Sequence, residues 1–362
     1  MFDPGQFSRV LAALAFGGAI GLAAPARADA TSDILLLKGA DRQKVLEEGA
    51  RKEGELMFYS ALTIDQGLRA IVDGFMKKYP FVKAEFWRGT ELQIVQKTLA
   101  EQRANAMVGD VIESVGIVTH MTRANALLPF YSPHFEEIPE RYRDKSGLSA
   151  ATRLNFFGLA YNTRLVPPGS QPKTYDELLD PKWKGKIAWR EDAVSGSALF
   201  ITAMMITRGE KATEDYLQKL RAQNIVSFTG SGRTLVNRVI EGEYQLAVNI
   251  FMHHATISNS QGAPTLPQPM EPIPSISGSM MIPKGVKHPY AAALFTDFFL
   301  SPDGQAVMRD AQYFPVTTTV KPLKELEPIM PASAGLEEIF VSDQQLFDWQ
   351  RKTEAIYKKY FR

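Results

Sequence analysis

The segment Thr229-Gly-Ser-Gly-Arg233 brings together two glycines, a hydroxyl and a guanidinium. The glycines let backbone N–H groups approach an anion closely, Ser231 adds its hydroxyl, and Arg233 can pair in bidentate fashion. The same residues also suit a plain helix start, with Ser231 as the cap and Arg233 in solvent. Arg88-Gly-Thr90 repeats the theme, with Thr90 as a helix cap. A third cluster joins Arg190 to Ser195-Gly-Ser197, although Glu191 and Asp192 stand ready to pair with that arginine. Ser60 and Thr63 follow one strand-like run, and Glu113 and Ser114 close another. The chemistry these groups share is the holding of an anion or a polyhydroxylated molecule.

Phe251-Met-His253-His254 invites a metal reading. Read as one strand, the two histidines point to opposite faces, so both rarely hold one ion. No Cys, Asp or Glu cluster stands nearby to complete a metal site. His253 is therefore expected to line a cleft beside Phe251, with no metal and no cofactor. Tyr59 and Trp87 read mainly as core aromatics, and the pairs Met204-Met205 and Met280-Met281 as packing. There is no Gly-x-Ser-x-Gly elbow, no His-Glu-x-x-His and no nucleophile with an evident base, so catalysis is not expected.

These groups fall where an alternation of strand-like and helix-like segments places them. A helix over 41–52 leads to a strand at 55–59, a helix over 65–79 to a strand at 82–87, and Thr90-Glu-Leu-Gln93 is a capping box opening the next helix. That helix is expected to turn Leu92, Val95 and Leu99 inward. A short strand ends at Ser114. The pattern then resumes beyond a proline- and charge-rich stretch, 128–147, with strands at 156–161, 186–189, 225–228 and 246–251. Residues 261–277 hold five prolines and must be extended. A return strand at 279–282, a helix opening at His288-Pro289 and a closing helix over 336–360 complete the chain. Alternation of this kind builds mostly parallel sheets with helices on both faces. In such sheets ligands sit beyond the carboxyl ends of the strands, at helix N-termini. Every candidate group above lies at such a place.

Residues 1–28 read as a secretory leader: Arg9, an apolar run from Val10 to Ala24, and Ala26-Arg27-Ala28 as the cleavage motif. The run is short of the roughly 20 residues a membrane span needs. The 362-residue chain contains no cysteine, which excludes disulfides, thiolate metal sites and a lipid-modified cysteine. Removing the leader takes the charge count from 41 to 39 basic and from 40 to 39 acidic residues, a net charge of zero. Neither nucleic acid nor an anionic membrane is favoured by that balance.

Several phrases resemble one family. Leu56-Met-Phe-Tyr-Ser-Ala61, Leu159-Ala-Tyr-Asn-Thr163, the run from Thr174 to Ile187 with its Pro-Lys-Trp-Lys-Gly, Thr229-Gly-Ser-Gly232, and Leu300-Ser-Pro-Asp-Gly-Gln305 resemble the ferric-ion-type periplasmic binding proteins of ABC importers. The resemblance implies a two-lobed type II periplasmic binding fold whose cleft closes on its solute, with a membrane permease and an ATPase as partners. On this scheme 29–135 with 278–325 form the first lobe and 136–277 the second, while 326–362 is a helical segment of unassigned lobe. The protein is then a monomer of the periplasm. Iron does not carry over. The adjacent tyrosines of iron-holding members are matched by Phe251-Met252, and neither side chain offers the anionic oxygen that ferric ion needs. A small anionic or polyhydroxylated organic solute is the leading expectation, and ferric iron with a synergistic anion the alternative.

Overall fold

The computed structural model describes residues 25–362 apart from 193 and 194. The leader expected over 1–28 therefore lies, apart from its end, outside the described residues.

Among the described residues, twelve strands form one mixed sheet shared by two lobes. In chain order they are β1 Glu55–Ser60, β2 Lys83–Arg88, β3 Val111–Val115, β4 Leu127–Leu128, β5 Ala150–Asn162, β6 Ile187–Arg190, β7 Val226–Phe228, β8 Leu246–Phe251, β9 Thr265–Gln268, β10 Ile273–Pro283, β11 Phe314–Pro315 and β12 Glu338–Phe340. The main path runs β2-β1-β3-β10-β5-β8-β6-β7. β2, β1 and β3 are parallel, as are β8, β6 and β7. Between these groups lie β10 and β5, antiparallel to each other and to their outer neighbours. This is the α/β architecture that the alternation of segments implies, with the chain leaving the first lobe along β5 and returning along β10.

Each lobe has its own core. In the first, Phe58 of β1 packs against Phe295 and Phe299 of the helix Pro289–Leu300, with Phe75 against the same Phe295. Phe58 is fully buried, which contributes roughly 2–3 kcal/mol. In the second, Trp189 of β6 lies against Phe200. Tyr142, Leu154 and Phe156 belong to the first core and Leu159 and Tyr161 to the second. Packing thus puts the crossing near residue 157, later than 136, because β5 is one continuous 13-residue strand rather than a new element begun at Phe156. Tyr175, Trp183 and Ile187, from the run that carries the family resemblance, form part of the second core.

Three local expectations need correction. Residues 338–340 pair with β10 as a strand, so the closing helix starts only at Asp343, where Ser342 and Gln345 form a capping box. Leu92 is 40% exposed, while Glu91, Ile94 and Thr98 are the buried residues of its helix Glu91–Arg103. The turn of the helix about its axis carries Leu92 away from the inner face. The histidine pair, finally, is not on a strand: β8 ends at Phe251 and a helix Met252–Ser260 begins at once.

The closing helix Asp343–Phe361 adds Ile356, Tyr357 and Tyr360 to the second core. It also reaches the first lobe, where Arg123 pairs with Asp348 at 2.9 Å and His120 bonds to Gln350 at 3.1 Å. The helix braces both lobes.

Candidate ligand-binding cleft

A cavity of about 650 Å³ lies between the lobes, within the size range of small-molecule sites. Of the residues expected from the sequence, Thr63, Arg88, Thr90, Arg190, Thr229, Ser231, Arg233, Phe251 and His253 line it. Ser60, Ser114, Ser195 and Ser197 do not; they are buried behind the wall. The strand-end rule brings these segments to the cavity but cannot say which side chain of a segment turns outward.

Two of these serines fix their neighbours. The Ser60 hydroxyl donates to Glu113 Oε2 at 2.9 Å and accepts from the Leu62 N–H at 3.0 Å. Ser195 Oγ accepts from Arg190 Nη1 at 2.7 Å. Arg190 also donates to the Gly230 carbonyl at 2.9 Å and to Asp192 at 3.1 Å, and its guanidinium stands 3.6 Å from Glu91. Arg190 is thus committed to the protein. Burial raises the Glu91 carboxyl above its usual range, and Arg190 offsets part of that rise.

Thr90 and Ser231 act as caps as well as lining. The Thr90 hydroxyl accepts from the Gln93 N–H at 3.4 Å, and Gln93 returns the bond to complete a capping box. Ser231 caps the helix Gly232–Glu241 through the Thr234 N–H at 3.1 Å. That helix directs its positive end toward the cavity. Arg233 sits in its first turn, donating to the His254 carbonyl at 3.0 Å. Burial lowers its pKa, and no carboxylate pairs with it among the described residues. Arg88 likewise makes no ion pair there.

The structure adds wall residues that the sequence reading missed, above all Arg153, Asn155, His254 and Tyr313. Arg153 and Asn155 lie two apart on β5 and so face the same way, joined by a 2.6 Å bond from Nη1 to Oδ1. Arg153 is 3.2 Å from the fully buried Glu113, which also accepts from Thr152 at 3.1 Å. Gly278 makes room for this pair: a Cβ there would stand 2.6 Å from Glu113 Oε1 and 3.0 Å from Arg153 Cγ. Tyr313 stacks under the Arg153 guanidinium at 5.1 Å, and burial raises its phenol pKa.

Because they start a helix, His253 and His254 differ by about 100° and both line the cavity. Both are buried. Burial, reinforced by Arg153 and Arg233, pushes the His253 pKa far down and that of His254 to about 3. Both are neutral bases at physiological pH. Among the described residues no group of three or more His, Asp or Glu side chains is placed to hold a metal ion.

The family described as bacterial extracellular solute-binding protein matches residues 103–338, more than half of the chain. The chain belongs to that family. An uncharacterized protein of Haemophilus influenzae is 28% identical to this solute-binding protein over 268 residues, covering 71% of the chain and 75% of the relative. The periplasmic binding protein AfuA from Actinobacillus pleuropneumoniae, solved with exogenous fructose-6-phosphate, superposes with a TM-score of 0.73 at 24% identity, over 85% of this chain and 98% of that one. Iron-bound HitA from Pseudomonas aeruginosa gives 0.72 at 18% identity, over 85% and 99%. These likenesses show the type II periplasmic binding fold. This solute-binding protein is of the ABC-transporter type that the resemblance implied.

Proposed function

We propose that this protein is the released periplasmic receptor of an ABC importer, that it binds a small anionic organic solute between its lobes, and that it performs no covalent step. The carrying observation is Arg233: half-buried in the cavity wall, in the first turn of a helix, and without a carboxylate partner among the described residues. A buried cation is expensive unless something neutralises it. Arg190 and Arg153 already have carboxylates, so Arg233 and Arg88 are the charges left for a solute.

The relative with fructose-6-phosphate and the relative with iron mark two ligand classes for this fold. Here the wall offers arginines and neutral imidazoles, with Phe251 where iron-holding members have tyrosine, which favours the organic anion. The permease and ATPase at the inner membrane complete the importer, the leader is removed near Ala28, and the mature protein is a monomer.

Mass spectrometry of small molecules released from gently purified protein tests this reading. An acidic organic compound in one-to-one amount is the expected result. Thermal shifts with phosphate, sugar phosphates and ferric citrate provide the second arm, since a bound solute raises the melting temperature. Stabilisation by ferric citrate alone would overturn the organic-anion reading.

A further inference from the structure

His253 is 1% exposed and lines the cavity, yet neither ring nitrogen has a hydrogen-bond partner among the described residues. The Nδ1 of His254 is unpartnered in the same way, and the two rings stand edge to face with centroids 4.5 Å apart. The Tyr313 and Phe251 rings close the remaining sides of His253, at 5.1 and 5.7 Å. Of the arginines near the histidine pair, Arg153 is engaged by Glu113 and Asn155 and Arg190 by Ser195 and Asp192, while Arg233 has no carboxylate partner among the described residues and is left for the anionic group of the solute.

A neutral imidazole carries one N–H and one lone pair. A buried group of that kind left without partners is costly, and the cavity is the open side from which partners can come. An anionic oxygen answers only the N–H, and the arginines already serve anions. A hydroxyl answers either need, accepting from the N–H or donating to the lone pair. We propose that His253 recognises a hydroxyl of the solute close to its anionic group, so that the cavity selects hydroxylated anions over bare ones of equal charge. The inference rests on the anion reading above and adds the chemical class of the solute. It also gives a reason for burying histidine rather than lysine or glutamate here: the group must hydrogen-bond in both directions without adding charge.

The test uses matched probes on the full mature protein: glycerol 3-phosphate against propyl phosphate, and glycerate against propionate, with sulfate as the hydroxyl-free charge control. Wild type should prefer the hydroxylated member of at least one pair by tenfold or more, because a site built to bond a hydroxyl penalises its absence. His253→Phe should bring that ratio to within about twofold while leaving the affinity for sulfate nearly unchanged. His253→Gln, which keeps a donor and an acceptor, should retain part of the preference. The melting temperature of ligand-free His253→Phe should hold or rise, because apolar replacement removes two unmet polar atoms.

A wild type indifferent to the hydroxyls, or a ratio that survives His253→Phe, overturns the assignment and leaves ordered water as the partner of the ring. If no anion binds wild type at all, the anion reading itself has failed. A melting temperature that falls by several degrees in His253→Phe then overturns the assignment too, by showing that the ring is held for the fold.

Discussion

The carboxylate of Glu91, at the start of a first-lobe helix, lies 3.6 Å from the guanidinium of Arg190, at the end of a second-lobe strand, and both side chains are 10% exposed. The two lobes cannot separate without parting this pair. Arg190 keeps Asp192 when they do, whereas Glu91 has no second cation so close among the described residues. The contact therefore favours the arrangement in which the cavity is enclosed. Burial raises the Glu91 pKa, so the ion pair adds little to overall stability while still opposing separation.

Replacing Glu91→Gln should leave the melting temperature of ligand-free protein nearly unchanged but enlarge its radius of gyration in small-angle scattering. Solute release should quicken about fivefold, equivalent to roughly 1 kcal/mol. An unchanged release rate together with an unchanged radius would show that the pair does not tie the lobes.

Arg233 makes the sharper case for the site itself. Its one protein bond among the described residues is to the His254 carbonyl, so Arg233→Ala should shift the ligand-free melting temperature by no more than about 2 °C. Losing a charge-assisted contact in a largely dewatered site is worth on the order of 2–5 kcal/mol, so affinity should fall at least about tenfold. Ser231→Ala should act on the helix instead, since that hydroxyl is occupied in capping. Calorimetry on both variants with the co-purified solute decides between them. Unchanged affinity in Arg233→Ala would return 229–233 to a capped turn.

The parts of this molecule that were legible in its sequence are those decided locally. The Thr90 capping box, the stop at the proline-rich stretch 261–277 and the buried methionine pairs depend on residues a few places apart. Arg153 was not legible, because what buries it is Glu113 on β3, two strands away in the sheet, and the space left by Gly278 on the intervening β10. Tyr313 meets the site only because the chain returns past Thr63 after both lobes are built. His254 was lost to a boundary: ending β8 at Phe251 changes the step between side chains from 180° to about 100°. Local pattern finds the segments, and the choice among their side chains is made by distant partners.

The histidine pair predicts how stability changes with acid. In the folded chain His254 titrates at about 3, against about 6.5 when unfolded. Between those values the unfolded state binds more protons, so this histidine's contribution is fully present above about pH 6.5 and declines as pH falls toward 3. The limiting slope is about 1.4 kcal/mol per pH unit for one proton. Carboxyls with raised values, Glu91, Glu53 and Asp297 among them, act in the opposite sense and partly mask the effect in the wild type. The difference between wild type and His254→Phe isolates it. Urea unfolding at pH 7, 5.5 and 4 should show wild type losing stability relative to the variant at each step. A constant difference would mean that His254 is exposed to protons in the folded state.

Ferric ion gives the last prediction. Fe³⁺ is a hard trivalent cation that needs several anionic oxygens. Phe251 lines the cavity and has no oxygen to offer, while Met252 is wholly buried. Tyr313 is 3% exposed, and burial favours the neutral form of its phenol over the phenolate a ferric ion needs. The two histidines are neutral nitrogens that bring no negative charge to such an ion, and Arg153 and Arg233 beside them repel it. Of the carboxylates on the wall, Glu91 and Asp192 are tied to Arg190, Asp65 stands 3.7 Å from Arg69, and Glu191 bonds to Arg362. Adding ferric ion with carbonate or citrate should therefore produce no phenolate charge-transfer band and no rise in melting temperature. A stable coloured complex would show that the wall rearranges to free its carboxylates and Tyr313, and would move the protein to the iron-carrying side of its family.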